Sequence, residues 1–414
     1  MKILIVSAYD IRGGAHKAAY RLHEALLSDG HDSQMLVQQK FSNDSRVLTS
    51  FGGKYKKILA KTRFHLDQLP VKLYSKRTNT LFSVACLPSE YIVTKINEIN
   101  PDIVHFHWIC DGMIKTEDLL KIERPLFFSL HDMWLFTAGC HYHEGCENYK
   151  DECRYCKVLN QSKKCVLSKL TFIRKYKTLS NLKNITIIGL SNWITNLAKE
   201  SKILAHNKIF NLPNLINVEQ FYPQSKKDSR NRLGLPINRK LVLCGATTFD
   251  NNPRKGIIEI VKSFSLINND NIELVFFGEY DKKLENLFKQ KVYFLGYIED
   301  EKKQQVIYNA ADLTLVPSHQ ENLSLVIMES LSCGTPVVAF DIGGNKDMIE
   351  HKRNGYLAQP FSIEDLKEGV EWVLYNDNYE KLSYNARQKV LNEFDSKIVV
   401  KKYIKLYQEV LIRG

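Results

Sequence analysis

The chain has 414 residues, long enough for two domains of ordinary size, and its 44% apolar and 25% charged residues match a folded globular protein. No apolar run reaches bilayer-spanning length, and Met1–Ser7 is too short and too strand-like for a secretion signal, so the expected location is cytoplasmic. The formal net charge of +12 calls for an anionic partner, and nine cysteines without an export signal argue for free thiols or metal ligation over disulfides.

Lys2–Ser7 is a continuous apolar run and predicts a buried strand. Arg12-Gly13-Gly14 predicts a turn, and Ala15–Ser28 a helix that ends near Gly30. Ser33–Gln38, Asp102–Phe106, Leu126–Leu130 and Ile185–Leu190 predict further strands, with a helix over Tyr91–Asn100 before Pro101. Strands alternating with helices imply a doubly wound α/β sheet. Between them, Lys54–Lys76 interleaves Lys54, Lys56, Lys57, Lys61, Arg63, Lys72 and Lys76 with apolar residues and is broken by Pro70. Such a basic amphipathic stretch fits contact with an anionic membrane, or a solvated loop with basic flanks. No nucleic-acid-binding motif accompanies the charge, so nucleic acid is not expected as a partner.

His131-Asp132 ends the strand Leu126–Leu130, and His105 and His107 end another. Ligands bind at the carboxyl ends of strands in such sheets. Cys140, Cys146, Cys153 and Cys156 then crowd a polar, loop-like insert, Gly139–Lys157, with His141 and His143 among them. A structural zinc on the four thiolates would order so long a loop; the alternative is reduced cysteines in a folded loop. Cys165 is a spare.

The second half repeats the scheme. Strands are predicted at Lys240–Gly245, Glu273–Gly278, Val292–Leu295, Leu313–Pro317 and Pro336–Phe340, and helices at Gly256–Ile267, Glu301–Ala310, Ser324–Leu331, Ile363–Leu374 and Lys397–Ile412. The turn-rich connector Asn211–Asn217 marks the break between halves. Pro253-Arg254-Lys255-Gly256 opens a helix after a strand, where two cations can neutralise a departing diphosphate. Glu321 and Glu329, separated by seven residues, bracket the run Asn322–Met328. On a helix both carboxylates lie near one face, with Glu321 at the N-terminus, where unpaired N–H groups suit phosphate, and Glu329 two turns on, where it can accept from sugar hydroxyls. For the pair alone, a solvated amphipathic helix is the favoured explanation; the apolar run Leu323–Met328 and the strand-like Pro336–Phe340 shift the balance to the first.

The block from Glu321 to Ala339, with Cys333-Gly334-Thr335-Pro336-Val337-Val338 after the second Glu, resembles the signature of the retaining glycosyltransferases of family 4. Asn322-Leu323 replaces the commoner Gly-Phe, a variant found in a branch associated with bacterial surface polysaccharides. The resemblance implies the GT-B architecture: two Rossmann-like doubly wound α/β domains facing a central cleft. The acceptor-side domain would span 1–213, with the Cys-rich insert at 139–157. The nucleotide-sugar domain would span 214–395, and a C-terminal helix at 396–414 would cross back to the first domain. It further implies a UDP- or GDP-sugar donor and a glycan or polyprenyl-diphosphate-linked acceptor, in O-antigen, capsule or exopolysaccharide synthesis. Catalytic roles would fall to His131, Lys255, Arg254 and Glu321. Donor binding would fall to Gly14, Tyr297, Ile298, Asn322, Leu323, Ser324, Leu325 and Glu329. In the family the Arg lies several residues upstream of the Lys; here Arg254 is adjacent to Lys255. No cofactor is expected for catalysis, since no D-x-D triplet occurs to carry a metal. Two rivals fit less of the chain: a sugar-nucleotide epimerase of similar shape, and a zinc-stabilised protein that binds anions or nucleic acid.

Overall fold

The structure is a computed structural model that describes residues 1–50, 54–160, 166–248, 253–279 and 282–413. The chain divides into two compact units: Met1–Asn214 with Val400–Gly414, and Leu215–Val399.

The first unit is a seven-stranded parallel sheet in the order β3-β2-β1-β4-β5-β6-β7. Its strands are β1 (Lys2–Tyr9), β2 (Asp32–Gln39), β3 (Val47–Thr49), β4 (Ile103–Phe106), β5 (Leu126–Leu130), β6 (Ile185–Gly189) and β7 (Lys208–Asn211). The central strands are buried on both faces, which is why they read as unbroken apolar runs in the sequence. Leu4, Val6, Val104, Phe106, Leu126 and Phe128 anchor one contiguous core. Helix Ser396–Arg413 contributes its part from Val400 onward to this unit: Tyr407 shares a 2.7 Å hydrogen bond with Nδ1 of His105 and packs on Phe127.

The second unit has a six-stranded parallel sheet in the order β10-β9-β8-β11-β12-β13. Its strands are β8 (Lys240–Thr248), β9 (Ile272–Glu279), β10 (Val292–Phe294), β11 (Leu313–Val316), β12 (Val337–Phe340) and β13 (Gly355–Ala358). Its core is separate and is built around Val242, Phe264, Phe276, Leu315, Phe340 and Val370. Both sheets reverse strand order once, between β1 and β4 and between β8 and β11. The crevice at the carboxyl ends of such a strand pair is where doubly wound sheets bind ligands.

Strand β8 runs past Gly245 to Thr248 through a register irregularity between those residues. Lys54–Asp67 is a helix that stops before Pro70, and Pro70 sits in the first turn of the short helix Leu69–Lys72, where its missing N–H costs nothing. The Lys54, Lys56 and Lys57 side chains, and Cys165, lie outside the described residues.

Candidate active site

In the second unit the loop after β8 docks on the loop after β11. The backbone N–H of His319 donates to the Arg254 carbonyl over 2.8 Å. Gly256 has φ +77°, and a Cβ there would stand 2.0 Å from the Pro317 carbonyl oxygen. A side chain at 256 would push the two loops apart, which is why Lys255 is followed by Gly. The docking brings three groups together. Lys255 Nζ donates to Glu321 Oε2 over 2.7 Å, Arg254 Nη1 lies 3.6 Å from the same oxygen, and Arg254 also donates to the Gln320 carbonyl. Burial pushes the Glu321 carboxyl upward, but the Lys255 ammonium and the Arg254 guanidinium outweigh it and hold the group below the usual carboxylate range. Burial lowers the Lys255 ammonium, and Arg254 adds to that, against the raising effect of Glu321. Two cations share one carboxylate, leaving a net positive charge in a low-dielectric place that suits a diphosphate. The displaced position of Arg254 in the sequence therefore does not remove it from the cluster.

The helix that follows is Leu325–Ser332, with Ser324 at its N-cap. Glu321 is therefore not on the helix: it precedes the cap by three residues, and the two carboxylates do not share a helix face. The reason is local. The Glu321 carbonyl accepts from Gly344 N–H over 3.1 Å, which, with Lys255 on the side chain, holds this residue in a loop. Asn322, Leu323 and Ser324 lead into the helix start and are buried. Glu329 is also buried, 4% exposed, and its Oε2 accepts from the Tyr308 hydroxyl over 2.8 Å. Tyr308 carried no signal in the sequence beyond a mid-helix aromatic. Tyr297 is 44% exposed beside Gly296, and the Ile298 carbonyl accepts from Gln304 over 2.7 Å.

In the first unit the turn after β1 gives its strained position to Gly13, φ +84°, and not to Gly14, which begins helix Gly14–Ser28. His131 and His107 meet at the ends of β5 and β4, Nε2 to Nδ1, at 2.8 Å. His105 bonds Tyr407 and Ser129, and His16 bonds Ser7 over 2.7 Å. Burial lowers His16 and His105 to about 3, with the neighbouring His131 adding to it, and lowers His131 to about 4 against the opposing pull of Asp132. The His–Asp dipeptide is thus split in role: Asp132 bonds His141 at 2.6 Å, the Trp108 indole at 2.8 Å and the Trp134 N–H at 2.9 Å.

The four cysteines of the insert gather as apolar side chains. Cys140, Cys153 and Cys156 are buried in the core of the first unit, and Cys146 is half-buried. Among the described residues no group of three or more His, Cys, Asp or Glu is arranged to hold a metal ion. The thiols of Cys140, Cys146 and Cys156 all stand near that of Cys153, and the structural zinc expected on the four stays a proposal that elemental analysis tests. Burial raises the Cys140 thiol to about 11 and raises Cys153 as well, with the neighbouring thiols adding to both. In the basic segment, Arg63 is 6% exposed and donates to the carbonyls of Gly112, Leu87 and Pro88, so it braces the fold instead of facing a membrane. Lys61, Lys72 and Lys76 are exposed, beside exposed Leu66, Leu69 and Leu73. Among the described residues no helix is long and apolar enough to cross a membrane.

Comparison with known proteins bears on this arrangement. Sucrose-phosphate synthase from Thermosynechococcus elongatus superposes over 100% of both chains with a TM-score of 0.72 at 20% identity. The Anabaena protein HepE, solved with UDP and glucose, covers 99% of this chain and 100% of its own with a TM-score of 0.66 at 16% identity. In sequence, the chain is 28% identical over 219 residues to N,N'-diacetylbacillosaminyl-diphospho-undecaprenol alpha-1,3-N-acetylgalactosaminyltransferase of Campylobacter jejuni, covering 50% of this chain and 56% of that one. The chain spans about half the length of the curated relatives it matches. Residues 225–389, which carry Arg254, Lys255, Glu321 and Glu329, match the family of glycosyl transferases group 1, and the whole chain has the two-domain GT-B fold of solved glycosyltransferases.

Proposed function

We propose that the protein is a glycosyltransferase that moves a sugar from a nucleoside diphosphate to a hydroxyl of a glycan or lipid-linked acceptor, with retention of configuration. The observation that carries this reading is the convergence of Arg254 and Lys255 on Glu321 at the switch point of the second sheet, beside a helix N-terminus. In the reaction the bond from the anomeric carbon to the β-phosphate oxygen breaks. The acceptor oxygen bonds that carbon, and its proton passes to the departing diphosphate. Negative charge grows on the phosphate, and Lys255, Arg254 and the N–H groups of Asn322–Leu325 stabilise it. Glu321 contacts a hydroxyl of the donor sugar. Glu329, oriented by Tyr308, holds the ribose. Tyr297 and Ile298 border the base, the Gly13–Gly14 turn contacts phosphate or acceptor, and His131 lies by the transferred sugar.

The UDP and glucose bound to HepE support a UDP-sugar over a GDP-sugar. The Campylobacter relative, named for a diphospho-undecaprenol acceptor, supports a lipid-linked acceptor and a role in surface polysaccharide synthesis. Lys61, Lys72 and Lys76 beside Leu69 and Leu73 would bring the protein to an anionic bilayer where such an acceptor resides. A panel of UDP- and GDP-sugars titrated by calorimetry tests the donor; failure of every nucleotide sugar to bind removes the proposal. Vesicle flotation at low salt tests the surface. Wild-type protein should float with anionic lipid, and a Lys61→Ser, Lys72→Ser, Lys76→Ser variant should not.

A further inference from the structure

The pair of His107 and His131 contains information about hydrogen placement. Both line a pocket at the carboxyl ends of β4 and β5, with Trp108, Cys110, Ser129 and Asp132. Nδ1 of His107 and Nε2 of His131 are 2.8 Å apart, so one hydrogen lies between them. His107 is 6% exposed, and burial, followed by the neighbouring His105, His131 and His16, keeps it neutral with a single ring hydrogen. Its other nitrogen, Nε2, is buried without a hydrogen-bond partner. A hydrogen on Nε2 would be a buried donor with no acceptor, the rarer kind of orphan; on Nδ1 the same hydrogen is used. The ring cannot easily swing away. Its backbone N–H donates to the Val6 carbonyl over 3.0 Å, and the His105 ring stands 4.4 Å off, centroid to centroid.

We infer that His107 is a positioning residue: it donates Nδ1–H to Nε2 of His131 and so fixes His131 in its Nδ1–H tautomer, as a hydrogen-bond donor and not a base. Resting on the glycosyltransferase reading, the acceptor of that bond is an oxygen of the sugar being transferred. His131 then contributes no proton acceptor.

Long-range ¹H–¹⁵N correlation spectra of ¹⁵N-labelled protein test this, with His131→Gln for assignment. Wild-type His131 should show hydrogen on Nδ1. His107→Phe keeps a ring but removes the donor; the His131 tautomer should change, and turnover should fall about tenfold, the scale of one orienting hydrogen bond, at unchanged UDP affinity. His107→Asn, with an amide near the Nδ1 position, should recover most of both. Hydrogen on Nε2 of His131 in the wild type, or an unchanged tautomer in His107→Phe, overturns the inference. Should His107→Phe fail to fold, the wild-type and His107→Asn spectra decide. Absence of any nucleotide-sugar binding by the wild type would remove the transferase reading instead, and would leave the tautomer result standing.

Discussion

The two units put their chemistry at the same place, the strand ends beside the reversal of strand order, and furnish it differently. In the second, Arg254 and Lys255 stay in reach of a carboxylate, 3.6 and 2.7 Å from Glu321, so that buried charge is compensated and kept. In the first, His16, His105, His107 and His131 lie at the corresponding ends and are neutral, because burial outweighs what carboxylate there is. The nearby carboxylate, Asp132, is already committed to His141, Trp108 and Trp134. On the function proposed here, one topology would serve two kinds of ligand: a permanently charged end for phosphate, and an uncharged, hydrogen-bonding end for hydroxyl groups.

The charged end should show the largest effect on rate. Lys255→Ala is expected to lower kcat by about 10²–10³-fold, the range for loss of one donor to a developing oxyanion, with a smaller rise in KM. Arg254→Ala should lose less, since its guanidinium stands farther from Glu321 and also serves the Gln320 carbonyl. Steady-state kinetics check both, and a fully active Lys255→Ala would erase the contrast between the two ends. Glu329→Ala comes next. Loss of charge-assisted bonds to ribose should weaken UDP binding by about 1.5–3 kcal/mol in calorimetry, and Glu329→Gln by less. Unchanged affinity in folded Glu329→Ala would confine this residue to its bond with Tyr308.

The neutral end should reveal itself in acid. His16 and His105 titrate near 3 in the folded protein and near 6.5 when unfolded. Between those values the unfolded chain binds more protons. The contribution of each is therefore complete above about pH 6.5 and declines by about 1.4 kcal/mol per pH unit as pH falls toward 3. Trp108, Trp134 and Trp193 report on the first unit and Trp372 on the second. Denaturant melts followed in Trp372→Phe protein should lose stability steeply between pH 6 and 4. Flat stability there would mean that the imidazoles are charged and that the two ends are alike.

The smallest effect belongs to the insert. Cys146, half-buried, should react first with a thiol reagent, while Cys140, Cys153 and Cys156 react only after unfolding. One tightly held zinc per chain, found by elemental analysis, would establish the four-thiolate site, and its absence would leave reduced cysteines in a folded loop.

Much of the fold was readable because buried parallel strands leave apolar runs. Leu126–Leu130, Glu301–Ala310 and Ile363–Leu374 fall on the same residues in sequence and structure. Short edge strands such as Val47–Thr49 and Lys208–Asn211 leave no such run and were not readable. Of the candidate site, Glu329 stood out by its spacing from Glu321, and Lys255 by its place before Gly256 at a helix start and by the family resemblance. The loop position of Glu321 was not, because it depends on Gly344 and Lys255, distant in sequence. Tyr308 beneath Glu329 and His107 beside His131 are likewise contacts between elements, which no local pattern encodes.

The bond between His105 and Tyr407 links residues 302 positions apart within one unit. During synthesis the first sheet can assemble its strands early, but the ring that seats His105 and covers Phe127 is made some two hundred residues after β7. The closing contact must be found across the whole intervening second unit, which folds meanwhile and shortens the effective span. An isolated fragment of residues 1–214 would therefore expose Phe127 and leave His105 without its hydroxyl partner, so the unit that comes off the ribosome first is the one finished last.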